Sequence, residues 1–563
     1  MQDGDKPTLL HRFVHLEGTQ PEAIYFTQPY PDGSVVDYSW REVGNQARRM
    51  AAYLRSLQLP PASAIAIVGK NSAHWIMADL AIWMAGHVSV PLYSTMGTQM
   101  ARYIFEHCEP RLLFVGKLDG KTDGWNEIRM AIPEGMPLVG LPMSPVSGAR
   151  DVPQWDEITA RSEPIQDIHQ PEPGDLATII YTSGTTGAPK GVMHSFGGMM
   201  AYALGAGEFC RMTPRDRMLS YLPLAHAAER AFVEANSLCH GVHVYFSDSL
   251  ETFAQDLQRA RPTLFISMPR LWTKFYGAVC ARLPLRKQKL LFALPIVSGL
   301  FRKKILRLLG LDAVRIAFTG SAPLAPEITG WYRSLGLELL DVYGMSEDFC
   351  WSHYSRPGLV RMGYSGQTLP GVERRIDDNG EILIKSITGM MGYYKQPELT
   401  AQCMTADGFF RTGDRGEVDE IGRLKITGRV KDIFKTSKGK YIAPAPIENQ
   451  LTHPMVEAVC VAGAAQDQPF ALAMLSVDGR KQLLDLQGKL TLTAELETML
   501  EHVNAALEKH EKLDYLVVVN ELWSADNGFL TPTMKIRRNA IEERYVSKVA
   551  QWAAAGAKVV FDR

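Results

Sequence analysis

No apolar run in this sequence reaches the ~20 residues that a helix needs to cross a bilayer. The longest of interest, "LLFALPIVSGLF" from Leu290 to Phe301, is interrupted by Pro295 and Gly299. Its flanks are basic, with Arg286, Lys287 and Lys289 before it and Arg302, Lys303, Lys304 and Arg307 after it. That pattern permits an interfacial hairpin over 286–307 resting on anionic lipid, and equally two helices packed on the protein with solvated charges. An excess of one charge sign is also missing. With 60 basic and 61 acidic residues the net charge is −1, so no global field draws the chain to nucleic acid. Cysteine is sparse: seven residues, scattered from Cys108 to Cys460 without a C-x-x-C pair, argue against a zinc site and for reduced thiols. The opening "MQDGDKPTLLHRF" lacks the basic start and apolar core of a secretory signal. The expected location is cytoplasmic, with any membrane contact peripheral and at an inner face. Internal repeats and low-complexity segments are absent as well.

What is present is a chain of 563 residues, 46% hydrophobic and 21% charged, too long for one ordinary core. "SAIAIVGKN", "SAHWIMADLAIWMAGH" and "VSVPL" read as strand, apolar helix and buried strand. Thr98 is placed to cap a helix through His107, and "TLFIS", "VRIAF" and "ELLDVYG" read as later strands. Strands alternating with helices predict a largely parallel sheet covered on both faces, with ligands at the carboxyl ends of strands. Beyond Gly380, "GEILIKS" and "GRLKITGRV" look antiparallel, and a compact region of one small domain's size follows a boundary near Arg429.

One stretch calls for a ligand. "YTSGTTGAPKG", Tyr181 to Gly191, follows the apolar run Leu176 to Ile180 and combines Gly184, Gly187 and Gly191 with the hydroxyls of Thr182, Ser183, Thr185 and Thr186. Glycine lets backbone approach a ligand closely, hydroxyls donate hydrogen bonds, and Lys190 brings a mobile positive charge. The combination suits phosphate oxygens. Its spacing does not fit G-x-x-x-x-G-K-[ST], which points away from the kinase and GTPase type of phosphate loop.

Read in order, "YTSGTTGAPKG", "YLPLAHAAER", "GSAPL", "DVYGMSE", "RTGD", "GRVKD" and "TPTMKIRR" resemble the acyl-adenylate-forming enzymes, a superfamily of acyl-CoA synthetases, luciferases and peptide-synthetase adenylation domains. The resemblance runs from about Tyr38 to Arg538 and implies an α/β fold: a large multi-sheet N-terminal domain, 1–429, and a small mobile α+β C-terminal domain, 430–563. It also implies two half-reactions. A carboxylate attacks the α-phosphate of ATP to give acyl-AMP and pyrophosphate, and a thiol then takes the acyl group. Lys535 matches the catalytic lysine of the C-terminal domain, Thr182 a catalytic hydroxyl of the phosphate loop, and Glu347 the carboxylate that holds Mg²⁺. Tyr343 matches the adenine-stacking ring. Gly320, Ser321 and Ala322, with Asp341, Gly344 and Ser346, match nucleotide-lining positions; Ser346 stands where the family usually has Thr. Asp414 matches the acid that accepts from the ribose hydroxyls, and Arg429 is placed to assist it.

"YLPLAHAAER", "RPTLFISMPRLWTKFY" and "KDIFKTSKGKYIAPAPIE" are similar to the long-chain fatty acyl-CoA synthetase branch. This implies His226 and Trp272 at the acyl entrance, Lys431 as the hinge, and Ser437, Lys438 and Gly439 in a loop that swings toward coenzyme A. The expected activity is ATP- and Mg²⁺-dependent ligation of a long-chain fatty acid to coenzyme A, in an oligomeric state that the sequence leaves open. Three alternatives stay open beside it: a fatty acyl-AMP ligase loading a carrier protein, a β-lactone-forming adenylating enzyme, and a nucleotide- or acyl-binding regulator without catalysis.

Overall fold

The computed structural model describes residues 7–120, 123–182, 188–320, 322, 324–524, 527–531 and 535–562. It shows the α/β architecture expected, built from several sheets as the resemblance implies. In the largest, seven strands lie in the spatial order Gly392–Tyr393, Lys190–Ser195, Leu176–Thr182, Val88–Leu92, Ala64–Val68, Leu113–Val115 and Leu138–Gly140. The last five of these run parallel. The helix Ala73–Met84 is buried along its whole length, which explains its apolar sequence on every face. Ser72 caps it by accepting from the Trp75 amide. The amphipathic helix Trp40–Ser56, held by a reciprocal Ser39–Glu42 capping box, packs alongside.

One sequence expectation needs correction. Thr98 does not cap the next helix: Gly97 occupies the cap, and the Thr98 hydroxyl donates to the Glu127 carbonyl at 3.1 Å. "TLFIS", "VRIAF" and "ELLDVYG" are strands, as read, but they lie outside the first sheet. They form three parallel strands of a second, five-stranded sheet that ends in two short antiparallel strands. A buried apolar run carries the same pattern in either sheet, so sequence periodicity cannot assign its partner.

The site rests on seven strands: β1 Leu176–Thr182, β2 Lys190–Ser195, β3 Ile316–Gly320, β4 Leu339–Tyr343, β5 Gly392–Tyr393, β6 Phe410–Val418 and β7 Leu424–Arg429. β6 and β7 belong to an antiparallel sheet of four strands that also contains Glu381–Ser386, as the reading of "GEILIKS" and "GRLKITGRV" predicts for two of them. The C-terminal region has its own four-stranded sheet with an apolar cluster on each face. Its helix Leu486–Ala506, capped by Asp485, buries Leu492, Leu496, Leu500 and Val503. That spacing is one helical stripe, each side chain contributing about 2 kcal/mol of burial. Among the described residues no helix is long and apolar enough to cross a membrane.

A buried polar group lies under "YLPLAHAAER". Glu229 is fully buried and accepts through Oε1 from Ser220 Oγ at 2.8 Å, the Tyr221 amide at 3.1 Å and Asn71 Nδ2 at 3.2 Å. Burial pushes its carboxyl up to about 8, against the lowering effect of those donors.

Candidate active site

The strands on either side of the glycine-rich stretch pair with each other. β1 continues through Tyr181 and Thr182, and Thr182 pairs antiparallel with Lys190 at the start of β2. Ser183, Gly184, Thr185, Thr186 and Gly187 lie outside the described residues. Gly191 is required by packing: a Cβ there would come within 2.8 Å of Ile179 Cγ2 and 3.2 Å of the Tyr181 ring. The Lys190 ammonium sits 4.9 Å from the centroid of the Tyr393 ring, brought in by β5 beside β2. Tyr393 in turn donates its hydroxyl to Glu347 Oε1 at 2.8 Å. One phenol thus joins the lysine of one motif to the carboxylate of another. Tyr393 was not singled out from the sequence, where "MMGYYKQPE" carries no recognisable motif.

Glu347 lies in a short 3₁₀ turn, Ser346–Asp348, just after β4. Its neighbourhood is pinned from two directions: His194 of β2 donates Nε2–H to the Ser346 carbonyl at 2.7 Å, and the Met390 amide donates to the Glu347 carbonyl at 2.7 Å. Asp348 accepts from the Met345 amide at 2.9 Å, and burial raises its carboxyl to about 7. Gly344 is needed here, because a Cβ would meet the Cys350 backbone at 2.8 Å.

Tyr343, at the end of β4, donates to Asp414 Oδ2 at 2.8 Å, and Arg429 Nε lies 3.0 Å from Asp414 Oδ1. Asp414 and Arg429 are direct partners in the β6–β7 ladder. On the same face of β4 as Tyr343, Asp341 accepts from Ser365 Oγ at 2.7 Å, with its carboxyl raised by burial to about 7. Gly320 closes β3 directly opposite Val342, where a Cβ would fall 2.8 Å from Val342 Cγ2. Ala322 is exposed just beyond it, and Ser321 lies outside the described residues.

The C-terminal region supplies the remaining charge. The Lys535 amide donates to Thr531 Oγ1 at 3.1 Å, and the Thr531 amide donates back to the Lys535 carbonyl at 2.8 Å. The side chain reaches solvent in the cleft, yet surrounding protein lowers its pKa. Desolvation is the main cause and the Arg429 charge adds to it, while Asp414, Cys350 and Glu347 oppose both. Lys535 is thus in the field of Arg429, Asp414 and Glu347 together. It also faces His226, whose pKa falls to about 4 through burial first and the Lys535 charge second. His226 Nδ1 accepts from the Ala228 amide at 3.0 Å, which leaves the proton on Nε2.

The other expected residues lie apart. Trp272 is fully buried, edge-on to Phe265 and Tyr332 with ring centroids 5.5 and 4.9 Å away, and its carbonyl accepts from the Tyr332 hydroxyl. It is part of the packed core of the second sheet. Lys431 is exposed in the turn that follows β7, between the Val430 amide bonded to the Gly413 carbonyl and the Asp432 amide bonded to the Arg429 carbonyl. Ser437, Lys438 and Gly439 form an exposed turn. The Ser437 hydroxyl and the Lys438 ammonium contact Asp467, and Gly439 adopts φ 77°, as a tight turn requires. Their polar contacts run to Gln466 and Asp467, away from the cluster around Glu347.

A cleft where strand ends from three sheets meet a lysine from a separate C-terminal core can neutralise and orient a polyphosphate beside a carboxylate. Comparison with known proteins identifies the class. Residues 15–394 match the family model of the AMP-binding enzymes, and residues 431–555 match that of the AMP-binding enzyme C-terminal domain. The chain belongs to the AMP-binding, adenylate-forming enzymes and is an ATP-dependent adenylating ligase of the acyl-CoA synthetase superfamily.

Among curated relatives, it is 30% identical to the long-chain-fatty-acid–CoA ligase FadD15 of Mycobacterium bovis, with 95% of each chain covered. It is also 30% identical to the peroxisomal long chain acyl-CoA synthetase 6 of Arabidopsis thaliana, over 97% of this chain and 86% of that one. Among solved structures, the adenylation domain of a carboxylate reductase from Mycobacterium chelonae superposes with a TM-score of 0.80 at 23% identity, covering 98% of this chain and 92% of that one.

Proposed function

We propose that the chain is a long-chain fatty acid–CoA ligase that activates its substrate as acyl-AMP and passes the acyl group to coenzyme A. The observation that carries the adenylating step is the convergence of Lys535 with Arg429, Asp414 and Glu347. Four charged groups from separate motifs lie within one another's fields, an arrangement suited to the negative charge that builds on an α-phosphate. The long-chain reading is supported by full-length similarity to relatives bearing that name.

In this reading Lys535 and Lys190 bring positive charge to the phosphates and the incoming carboxylate. Asp414 already accepts from Tyr343 and Arg429, and the lone pairs left on its two oxygens hold the ribose hydroxyls. His226 is neutral at working pH, so Nε2–H is a hydrogen-bond donor without a charge. Residues 1–429 and 430–563 act as two bodies, with Lys431 between them. After acyl-AMP forms, rotation about Lys431 withdraws Lys535 and carries Ser437 to Gly439 toward the pantetheine, whose thiol displaces AMP.

Glu347 fits Mg²⁺: it is a hard oxygen ligand whose Oε1 is fixed by Tyr393 and whose backbone is tied to Met390. No cluster of three or more metal-binding side chains exists among the described residues, which suits an ion held largely by the nucleotide's own phosphates. Bound there, the ion would screen the phosphate charge.

The test is a ladder of fatty acids with ATP and Mg²⁺, with and without coenzyme A, the products identified by mass. Expected are acyl-AMP without coenzyme A and acyl-CoA with it, and a kcat/KM that rises severalfold per methylene until the site is filled. Pyrophosphate release without acyl-CoA when coenzyme A is present would overturn the ligase reading. A maximum at acetate or an aromatic acid would overturn the long-chain one.

A further inference from the structure

Between Asp256 and Asp312 the sequence carries no acidic residue in 55 positions, although 61 acids in 563 residues place about six in any such stretch on average. The same stretch holds twelve lysines and arginines in a chain whose net charge is −1. It folds into three successive helices, α1 Pro269–Arg282, α2 Leu285–Phe292 and α3 Pro295–Leu308, of which α2 and α3 form a helical hairpin.

The inner side of the hairpin is anchored. Gln288 is buried, accepting from the Trp331 indole N–H at 2.7 Å and donating to the Leu283 carbonyl at 2.6 Å. Ile305 is buried in the cluster that also contains Trp272 and Trp331. The outer side combines exposed leucines with basic residues. On α3, Leu300, Lys303, Lys304, Arg307 and Leu308 are all exposed, and their spacing of i, i+3, i+4, i+7 and i+8 makes one helical stripe. On α2, Leu285, Arg286, Lys289 and Leu290 are exposed in the same way. Leu290 and Leu300 each keep 70% of their surface in water, a cost that a domain packing this hairpin against itself would have removed. Among the described residues, Arg286, Lys287, Lys289, Lys303 and Lys304 have no ion-pair partner.

Leucines set among Arg286 and unpaired lysines, with Arg307 held only by Asp312 at 3.5 Å, match one occupant. Apolar side chains enter the acyl boundary of a bilayer while the long basic side chains reach up to phosphate headgroups. A protein partner would need a matching acidic groove, whereas an anionic lipid surface offers both features at once. With helices of 8 and 14 residues, the hairpin can lie in the interface and cannot span it. We propose that the outer face of α2 and α3 is a docking surface for anionic phospholipid membranes. Its anchoring through Gln288, Trp331 and Ile305 ties it to the packed core of the second sheet.

The proposal is tested with the full chain and without ATP or acid, so the outcome does not depend on the proposed activity. The chain is sedimented with vesicles of phosphatidylcholine alone and of phosphatidylcholine mixed with phosphatidylglycerol, at low and high salt. Expected is binding to the mixed vesicles only, weakening by about fivefold for each basic residue neutralised and falling with salt. The double variants Leu290→Glu/Leu300→Glu and Lys303→Gln/Lys304→Gln should each lose at least tenfold in binding with unchanged melting temperature, since the altered side chains are exposed. A native chain that ignores the mixed vesicles, equal binding to neutral ones, or variants that bind as well as the native chain would overturn it. So would lipid-free self-association, seen by light scattering, that the leucine variant abolishes, because the face would then belong to a second copy.

Discussion

Lys190 and Glu347 are linked through a single ring: Tyr393 lies under the lysine ammonium at 4.9 Å and donates its hydroxyl to the glutamate at 2.8 Å. A group that orients a metal-binding carboxylate typically sets metal affinity by 10- to 100-fold without touching the metal. Tyr393→Phe keeps the ring beneath Lys190 and removes only the hydroxyl. We expect the Mg²⁺ concentration for half-maximal pyrophosphate release to rise about tenfold with little change in melting temperature. An unchanged Mg²⁺ titration would show that Glu347 needs no such support.

Lys535 lies among Arg429, Asp414 and Glu347 in the conformation described. If its charge acts while the α-phosphate is attacked, Lys535→Ala should lower adenylation by about 10²- to 10³-fold or more. Thioester formation from supplied acyl-AMP should survive. Measuring the two half-reactions separately decides the matter, and an equal loss in both removes the assignment.

Lys431 stands in the exposed turn that leaves β7. Proline there fixes φ near −65° and pushes Val430 toward extended backbone, restricting the segment in every conformation. Lys431→Pro is expected to impair acyl-CoA formation far more than acyl-AMP formation. A variant that completes both at native rates would show that the pivot lies elsewhere.

Glu229 carries a pH signature. Its folded pKa, about 8, lies above the ordinary 4.5, because desolvation outweighs the hydrogen bonds from Ser220 and the Tyr221 amide. A raised carboxyl pKa means that the unfolded chain releases this proton first, so a stability contribution present below about pH 4.5 is lost progressively up to pH 8. Glu229→Gln keeps the Oε1 acceptor and cannot ionise. Denaturant melts should find the variant no more stable than the native chain at pH 4, and more stable than it at pH 8. A stability difference that does not change with pH would mean that Glu229 ionises in the fold as freely as outside it.

The sequence by itself determined much of the chemistry. Gly191, Gly344 and Gly320 are fixed because a single Cβ at each would strike a neighbouring strand or turn, and such demands leave a residue identity behind. The apolar helix Ala73–Met84 and the strands around it were legible for the same reason, since burial dictates residue type one position at a time.

Only the tertiary structure decided which strands share a sheet, for a buried strand looks alike beside any partner. It alone showed that the strands flanking the loop after Ile180 pair, with Thr182 opposite Lys190. It alone brought Tyr393 between Lys190 and Glu347, because that relationship depends on β5 adding to the edge of β2 some 200 residues after it in the chain. Exposure is likewise a property of the fold. The sequence left 286–307 open between an interfacial hairpin and two helices packed on the protein, and only the docking of Gln288 against Trp331 shows Leu290 and Leu300 facing water beside unpaired lysines.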